Sequence, residues 1–265
     1  MCRTVGGVVV LLLALPAWAD DKPKDKPSTP QEQYQALLKE QQGAMQAFSD
    51  AYQKAKDDEE RNKVIKEKYP TLAPKFLALA EKNPKDPVAF DALIWVVNNT
   101  SIGLGDKDNA RAKAVALLLK DHVQSDKLGP VCQRLAQGYD QEGKDLLRGI
   151  LDKNPSKDVQ AEACLALAQS LKARADGMPE AKAKEAEKLR KESEEMYVRA
   201  TDKFGDVKLG RGTVGEQAKV ELYELRFLSI GKVAPEVEGE DADGKKFKLS
   251  DYRGKVVLID FWGNW

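Results

Sequence analysis

The residues of this sequence best suited to chemistry are thiols, of which there are few. Among 265 residues the only cysteines are Cys2, Cys132 and Cys164. A thiol becomes a redox nucleophile when its pKa is lowered, most often in a Cys-x-x-Cys motif at a helix N-terminus. No two cysteines here stand two residues apart. We therefore expect the chain alone to have no dithiol redox activity.

Cys132 and Cys164 each lie in a run with helical periodicity, PVCQRLA and EACLALA. Three interpretations are open. Both are buried small hydrophobic residues, which is common for free cysteine. Alternatively they form a structural disulfide, which an exported location permits and which requires α-carbons within about 7 Å. The third and least favoured interpretation is a redox pair.

Asp260 is the carboxylate whose position most strongly suggests a role in proton transfer. It lies inside the apolar run KVVLIDFW, residues 255–262, which predicts a strand covered on both faces. A buried carboxylate has a raised pKa and can exchange protons with a neighbouring thiol near neutral pH. The alternative is an aspartate at a strand end that meets water.

Other chemistries have little support in the composition. Lys plus Arg and Asp plus Glu number 43 each, and this zero formal net charge argues against nucleic acid as a partner. His122 is the only histidine, so a histidine-based metal site or a Ser-His pair is poorly supported. We interpret it as a residue at a helix end, where a cation suits the helix dipole. No metal and no cofactor are implied.

The N-terminus has the features of an export signal. Arg3 precedes an apolar core over residues 5–15, and Ala17-Trp18-Ala19 matches a cleavage site. The apolar run is shorter than the ~20 residues of a membrane span. We expect cleavage after Ala19 and an extracytoplasmic protein. The alternative is an uncleaved anchor, and only then would the protein be membrane-associated.

Residues 20–30, DDKPKDKPSTP, predict a disordered linker. Thr29, Pro30 and Glu32 then form a capping box that predicts a helix start. From there to residue 230 the sequence predicts helices separated by Asn-Pro, Asp-Pro and Gly signals. Lys-Asn-Pro occurs at 82–84 and again at 153–155, each time between an apolar helix end and an alanine-rich helix. The pattern favours stacked antiparallel helix pairs that resemble α-repeats.

The last predicted helix covers residues 215–230 and has a broad apolar side, and Gly231 ends it. Beyond it, Asp241 to Gly244 predict the turn of a β-hairpin. Ser250 is a candidate cap for the short turn that follows. The strand at 255–262 then has at most one hairpin to pair with, and an isolated hairpin is marginal in water. We therefore expect this strand to pack poorly in the chain as given.

Residues 231–265 carry an ordered series of small motifs that resembles the opening of a redoxin domain. The motifs are Gly-Lys-Val-Ala-Pro at 231–235, Asp-Gly at 243–244, Phe-Lys-Leu-Ser-Asp at 247–251, Arg-Gly-Lys-Val-Val at 253–257, and Phe-Trp-Gly-Asn-Trp at 261–265. Redoxins are the thioredoxin-fold group that includes TlpA-like oxidoreductases and AhpC/TSA peroxiredoxins. The last motif is similar to the TlpA-like pattern Phe-Trp-x-x-Trp-Cys-x-x-Cys, and the peroxiredoxin pattern differs here.

The resemblance has implications for individual residues. Asp260 aligns with the buried aspartate beneath the active-site disulfide of thioredoxins, which implies a proton relay for the second cysteine. Trp265 would stand directly before the first catalytic cysteine, which this sequence does not contain. Trp262 and Trp265 would flank the active-site turn, with core packing as the preferred interpretation of Trp262.

Together these features predict a mainly α fold. Stacked helix pairs would be followed by the first strands of an incomplete thioredoxin-like α/β domain. We expect a signal peptide at 1–19, a linker at 20–30, a helical domain at 31–230 and the truncated redoxin portion at 231–265. By resemblance, the parent protein is an extracytoplasmic thiol–disulfide oxidoreductase acting on protein thiols, disulfides or a redox partner protein. The alternative is a non-enzymatic exported helical-repeat scaffold.

Overall fold

The structure, a computed structural model, describes residues 28–100, 109–138, 140–241 and 243–260. Within them the fold is mainly helical with short antiparallel strands, as the sequence predicts. The predicted signal peptide and most of the linker lie outside the described residues. The helices are α1 Pro30–Lys54, α2 Asp58–Lys68, α3 Ala73–Lys82, α4 Pro87–Asn99, α5 Ala110–Leu117, α6 Gly129–Leu135, α7 Gln141–Lys153, α8 Lys157–Asp176, α9 Ala183–Phe204 and α10 Val214–Tyr223. The strands are β1 Lys208–Leu209, β2 Gly212–Thr213, β3 Glu238–Glu240 and β4 Lys246–Lys248.

Helix α1 begins with the predicted capping box. The Thr29 hydroxyl accepts from the Glu32 N–H at 3.2 Å, and the Glu32 carboxylate accepts from the Thr29 N–H at 2.7 Å. No residue of α1 is fully buried. Its apolar side instead rests on the core through half-buried side chains such as Tyr34, whose ring meets Phe76 edge to face at 5.7 Å. Its opposite side is polar and exposed.

Both Lys-Asn-Pro segments terminate a helix, as predicted. Lys82 ends α3 and Lys153 ends α7, with Asn83 and Asn154 as the C-caps. The two asparagines nevertheless differ. The amide of Asn83 donates only to its own helix, whereas that of Asn154 is buried and donates to the Val123 and Ser125 carbonyls at 2.8 and 2.9 Å. The second turn therefore also joins two layers of the array.

Consecutive helices pack against one another from α3 to α5 and from α6 to α10, and α5 packs against α7. Helix α8 is the central helix of the second half, with α7, α6 and α9 around it. Ser193, which interrupts the apolar stripe of α9, is fully buried there. Its hydroxyl donates to the Ala168 carbonyl of α8 at 2.8 Å. Tyr197, one turn further on, is also fully buried. The polar Ser193 is tolerated in the α8–α9 interface because its hydroxyl is hydrogen-bonded.

The segment between α9 and α10 contains the β1–β2 hairpin. The hairpin is closed at its base by a backbone contact between two glycines. The Gly215 N–H donates to the Gly205 carbonyl at 3.3 Å. A Cβ atom on Gly215 would lie 2.7 Å from the Gly205 Cα, so glycine is required there.

Two helices end in a π-helical turn that the sequence did not indicate. One covers Leu118–His122 after α5, and the other covers Glu224–Leu228 after α10. The wider turn shifts the register of the side chains that follow it. Phe227 of the second turn lies next to Tyr223, with ring centroids 5.0 Å apart.

Candidate functional site

The segment after α10 begins at a left-handed glycine. Gly231 has φ of +85°, which glycine adopts without strain. Glu236 then receives the Ser250 N–H at 2.9 Å, and the Val237 carbonyl receives the Leu249 N–H at 2.9 Å. Hydrogen bonds from Ser250 hold the pKa of Glu236 below its ordinary value. These contacts fasten the start of the segment to the turn that follows the hairpin.

The predicted hairpin is present. Strand β3 pairs antiparallel with β4, with Gly239 opposite Phe247 and Glu238 opposite Lys248. Lys248 and Glu238 form a cross-strand ion pair at 2.6 Å. A Cβ atom on Gly239 would lie 3.2 Å from the Phe247 ring, so the ring covers the glycine. In the turn, Asp241 accepts the Asp243 and Lys245 N–H groups at 3.0 and 2.9 Å.

The short turn after the hairpin is a 3-10 helix, Leu249–Tyr252, and Ser250 lies inside it. Ser250 is therefore not the cap that the sequence suggested. The N-cap is Lys248, whose N–H donates to the Asp251 carboxylate at 2.9 Å. Gly254, with φ of +80°, then turns the chain into the apolar run.

Residues 256–260 have no regular secondary structure and pair with no described strand. Val256 and Leu258 are fully or almost fully exposed. This part of the run packs poorly, as predicted for a strand with too few neighbours. Asp260 is exposed too, so the covered environment expected for a proton relay is not present around it. Trp265 and Trp262 lie outside the described residues.

The two cysteines of the helical array are buried free thiols. Cys132 lies in α6, and Cys164 in α8, where its Sγ contacts the Met196 carbonyl at 3.4 Å. Burial raises the pKa of Cys164 to about 11 and raises the pKa of Cys132 further, with Glu162 adding to the rise at Cys132. Arg199 and Lys203 only partly offset the rise in the pKa of Cys164, and neither thiol has the accessible setting that a redox nucleophile requires. The interpretation as buried small hydrophobic residues agrees with this geometry.

The remaining candidate groups do not converge on a site. Within the described ranges there is no cluster of three histidine, cysteine or acidic side chains suited to a metal ion. His122 ends the first π-helical turn and meets the Phe90 ring edge to face at 5.6 Å. Burial lowers its pKa, partly offset by Asp121. No helix among the described residues is long and apolar enough to cross a membrane.

One surface that sequence reasoning did not identify is an apolar stripe on the last helix. Val220, Tyr223, Phe227 and Leu228 are 66%, 48%, 44% and 58% exposed, and we call these four residues the α10 ridge. The sequence predicted a broad apolar side for this helix. The structure divides that side in two, with Ala218 and Leu225 facing the core and the ridge facing solvent. Apolar residues on both faces of the predicted helix were the sequence signal that could have revealed this exposed stripe.

Comparison with known proteins finds partial similarity to thiol–disulfide oxidoreductases. The protein named thiol-disulfide oxidoreductase ResA of Bacillus thuringiensis subsp. konkukian (strain 97-27) is 47% identical over 49 residues. The protein of the same name from Geobacillus thermodenitrificans (strain NG80-2) is 42% identical over 42 residues, and that from Bacillus subtilis (strain 168) is 47% identical over 38 residues. No family model matches the chain, and no solved structure matches it.

The matched stretches are short compared with both this chain and the relatives. They cover 17%, 16% and 14% of this chain, and 28%, 24% and 21% of the three relatives. The chain thus spans about a quarter of the length of the curated relatives it matches. A partial relationship to redoxin-type thiol–disulfide oxidoreductases follows.

Proposed function

We propose that residues 231–265 are the opening of a redoxin domain, and that the protein to which they belong is an extracytoplasmic thiol–disulfide oxidoreductase. The observation that carries the proposal is the 42–47% identity to ResA proteins over 38–49 residues. We assign the matched stretch to this segment and to residues directly before it, because the redoxin-like motifs lie in the segment and the match is longer than its 35 residues. The observed hairpin and 3-10 turn, in that order, support the assignment.

In this proposal the helical array at 31–230 is an N-terminal module and the chemistry lies beyond it. The site would be a Cys-x-x-Cys following Trp265. A thiolate of low pKa attacks one sulfur of a disulfide and forms a mixed disulfide, which the second thiolate resolves. Two electrons and two protons pass between the dithiol and the partner. Protein thiols, disulfides or a redox partner protein are the reactants.

Asp260 would act as the proton relay for the second thiol. That role needs the strand at 255–262 to be covered by neighbouring strands and helices, because burial is what brings a carboxylate into the pH range of thiol chemistry. The exposed position of Asp260 in the structure is consistent with a strand whose neighbours are missing. The Asp20 start expected after signal cleavage would place this chemistry outside the cytoplasm.

The test compares two proteins in the dithiothreitol-driven reduction of insulin disulfides. The 265-residue chain has no Cys-x-x-Cys and should give the uncatalysed rate, as should its Cys132→Ser, Cys164→Ser variant. The product of the natural gene, expressed in full, should be active, and Asp260→Asn in it should shift the pH profile of the rate. An inactive natural product would overturn the proposal.

Two observations favour a second function. The buried thiols and the exposed α10 ridge fit a non-enzymatic scaffold or binding protein whose helices carry the function. Under that alternative the natural product would be redox-inactive, and binding would map to the helical array.

A further inference from the structure

A groove runs along one side of α8, the central helix of the second half of the array. It has a volume of about 390 Å³ and lies between the end of α6 on one side and the β1–β2 hairpin with α10 on the other. Leu165 and Ala166 form its floor, and Gln137, Gln169 and Gln217 line its edges. We call it the α8 groove. Ligand sites in proteins have volumes of about 300–1,000 Å³, so the α8 groove is large enough to hold a ligand.

The floor of the α8 groove belongs to the core. Leu165 and Ala166 are 3% and 2% exposed, and Ala136 at the end of α6 is 4% exposed. Leu209 of β1 packs against the same core and completes the apolar lining from the opposite wall. A ligand in the groove would therefore contact apolar side chains whose positions are already fixed by packing, which lowers the entropic cost of binding.

Three glutamines of the α8 groove have side-chain amides without a hydrogen-bond partner among the described residues. They come from separate parts of the chain, because Gln137 follows α6, Gln169 lies in α8 and Gln217 lies in α10. Each amide carries one carbonyl acceptor and one NH₂ donor group. A main-chain peptide unit presents the same pair of groups, an N–H donor and a C=O acceptor. The three amides are therefore complementary to the main chain of an extended polypeptide.

The charge of the lining fits an uncharged ligand. Glu162 is the one ionisable side chain described in the α8 groove, and its carboxylate accepts the Gln133 amide at 2.7 Å. No lysine or arginine described there is placed to pair with phosphates, which argues against nucleic acid. No aromatic ring described there offers a stacking surface for bases. Hydrogen bonds to neutral groups are the polar interactions that this lining provides.

The length of the groove matches a short stretch of extended chain. Glu162 and Gln169 lie seven residues apart in α8, which is about 10 Å along the helix axis. An extended chain rises about 3.4 Å per residue, so about three residues fit over this distance. Successive side chains of an extended chain point to opposite sides. A side chain that points to the floor would meet Leu165 and Ala166, and its two neighbours would point to solvent.

We propose that the α8 groove binds an extended, uncharged segment of another polypeptide, with Gln137, Gln169 and Gln217 hydrogen-bonded to the main chain of that segment. Leu165 and Ala166 contact one of its apolar side chains. Because the polar contacts are made to main-chain groups, the site accepts many sequences, and its ligand class is extended polypeptide. The binding requires only the helical array and does not depend on the redox proposal.

Fluorescence anisotropy of the 265-residue chain with a labelled peptide tests the proposal. The probe is a fluorescein-labelled nonapeptide of serine, threonine and valine, and it should bind saturably below about 500 μM. Gln169→Leu and Gln217→Leu should each raise its dissociation constant about threefold to tenfold, because each removes hydrogen bonds to the peptide. Gln35→Leu, at an exposed glutamine of α1, is the matched control and should leave binding unchanged. Circular dichroism melts verify that each variant is folded.

A modified peptide tests whether the main chain is what the groove recognises. The same nonapeptide with alternate backbone nitrogens methylated lacks half of its N–H donors and should bind at least tenfold more weakly. Equal binding of the two peptides would overturn the proposal, as would the absence of saturable binding at about 500 μM. Binding that neither glutamine substitution weakens would place the peptide elsewhere and also contradict it. So would displacement of the peptide by an equal concentration of cellopentaose, because the groove would then recognise sugar hydroxyls.

Discussion

Arg111 of α5 and Asp140, the N-cap of α7, face each other in a bidentate ion pair, with Nε and Nη2 each 3.1 Å from a carboxylate oxygen. The same guanidinium donates to the carbonyls of Val97 and Thr100 at the end of α4. Both side chains are largely buried. One arginine therefore ties three helices together at the place where the chain passes from the first half of the array to the second.

This pair predicts a large effect of Asp140→Asn. Removing one partner of a buried ion pair leaves the other charge uncompensated, and the free energy of unfolding should fall by about 3 kcal/mol. Urea denaturation at pH 7 measures it. Asp206→Asn is the control, because its ion pair with Lys157 lies on the surface and its loss should leave the midpoint unchanged.

The same pair predicts a pH dependence. Burial by itself would raise the pKa of Asp140, but the hydrogen bonds from Arg111 and the Gly143 N–H outweigh it, and the pKa lies below its ordinary value. The pair's contribution is therefore fully present above the unfolded pKa of about 4 and is lost as the pH falls through the folded pKa. The stability gap between the wild type and Asp140→Asn should narrow from pH 7 to pH 3. A stability difference that widens from pH 7 to pH 3 would contradict a lowered pKa of Asp140 in the folded protein.

The two Lys-Asn-Pro turns predict unequal costs for one substitution. Asn154→Ala removes two interlayer hydrogen bonds, one of them the buried bond to the Val123 carbonyl, and should cost about 2 kcal/mol. Asn83→Ala removes one bond within its own helix and should cost less than half as much. Thermal or urea unfolding of both variants decides this. Equal losses would mean that Asn154 does not join the layers.

Two glycine-to-alanine substitutions should change the stability of the protein in opposite directions. Gly215→Ala would place a Cβ atom against the Gly205 backbone and should destabilise the α9–α10 connection by about 2 kcal/mol or more. Gly43→Ala lies on the open side of α1, with no atom within 4 Å of the new Cβ. It should stabilise the protein by about 0.5–1 kcal/mol through helix propensity. Unfolding midpoints of both variants check the pair.

Because both thiols are buried, we expect them to react slowly with thiol reagents. In a protein expressed from Asp20, and therefore without Cys2, neither Cys132 nor Cys164 should react with Ellman's reagent at pH 8 on the timescale of minutes. Burial raises the pKa of both and shields both sulfurs. Two thiols should react after unfolding in guanidinium chloride. Rapid labelling of either cysteine in the folded protein would show an accessible thiolate.

Local signals in the sequence predicted many features of the fold. The Thr29–Glu32 capping box, the asparagine C-caps and the Asp241–Gly244 turn each depend on neighbouring residues, and each is in the structure. The Arg111–Asp140 pair could not be predicted, because its partners are 29 positions apart and their contact depends on helix packing. The β1–β2 hairpin and the π-helical turns likewise depend on tertiary contacts.

In the candidate site, too, features that depend on neighbouring residues could be predicted, and features that depend on tertiary contacts could not. The hairpin was predictable because its turn chemistry is local. Ser250 was wrongly assigned as a cap because the 3-10 helix begins at Leu249, which makes Lys248 the N-cap. The exposure of the α10 ridge was not predictable, because periodicity shows that a face is apolar and not what lies on it. The role of Asp260 stays a prediction, since it depends on strands that would surround residues 255–262.

The central claim is that the last 35 residues open a redoxin domain, and the most direct test is to determine the natural reading frame across the codon for Trp265. The account predicts that the frame continues at once into Cys-x-x-Cys, followed by about a hundred residues that complete the domain. A stop codon after Trp265 would contradict it, and the helical array would then have to carry the function.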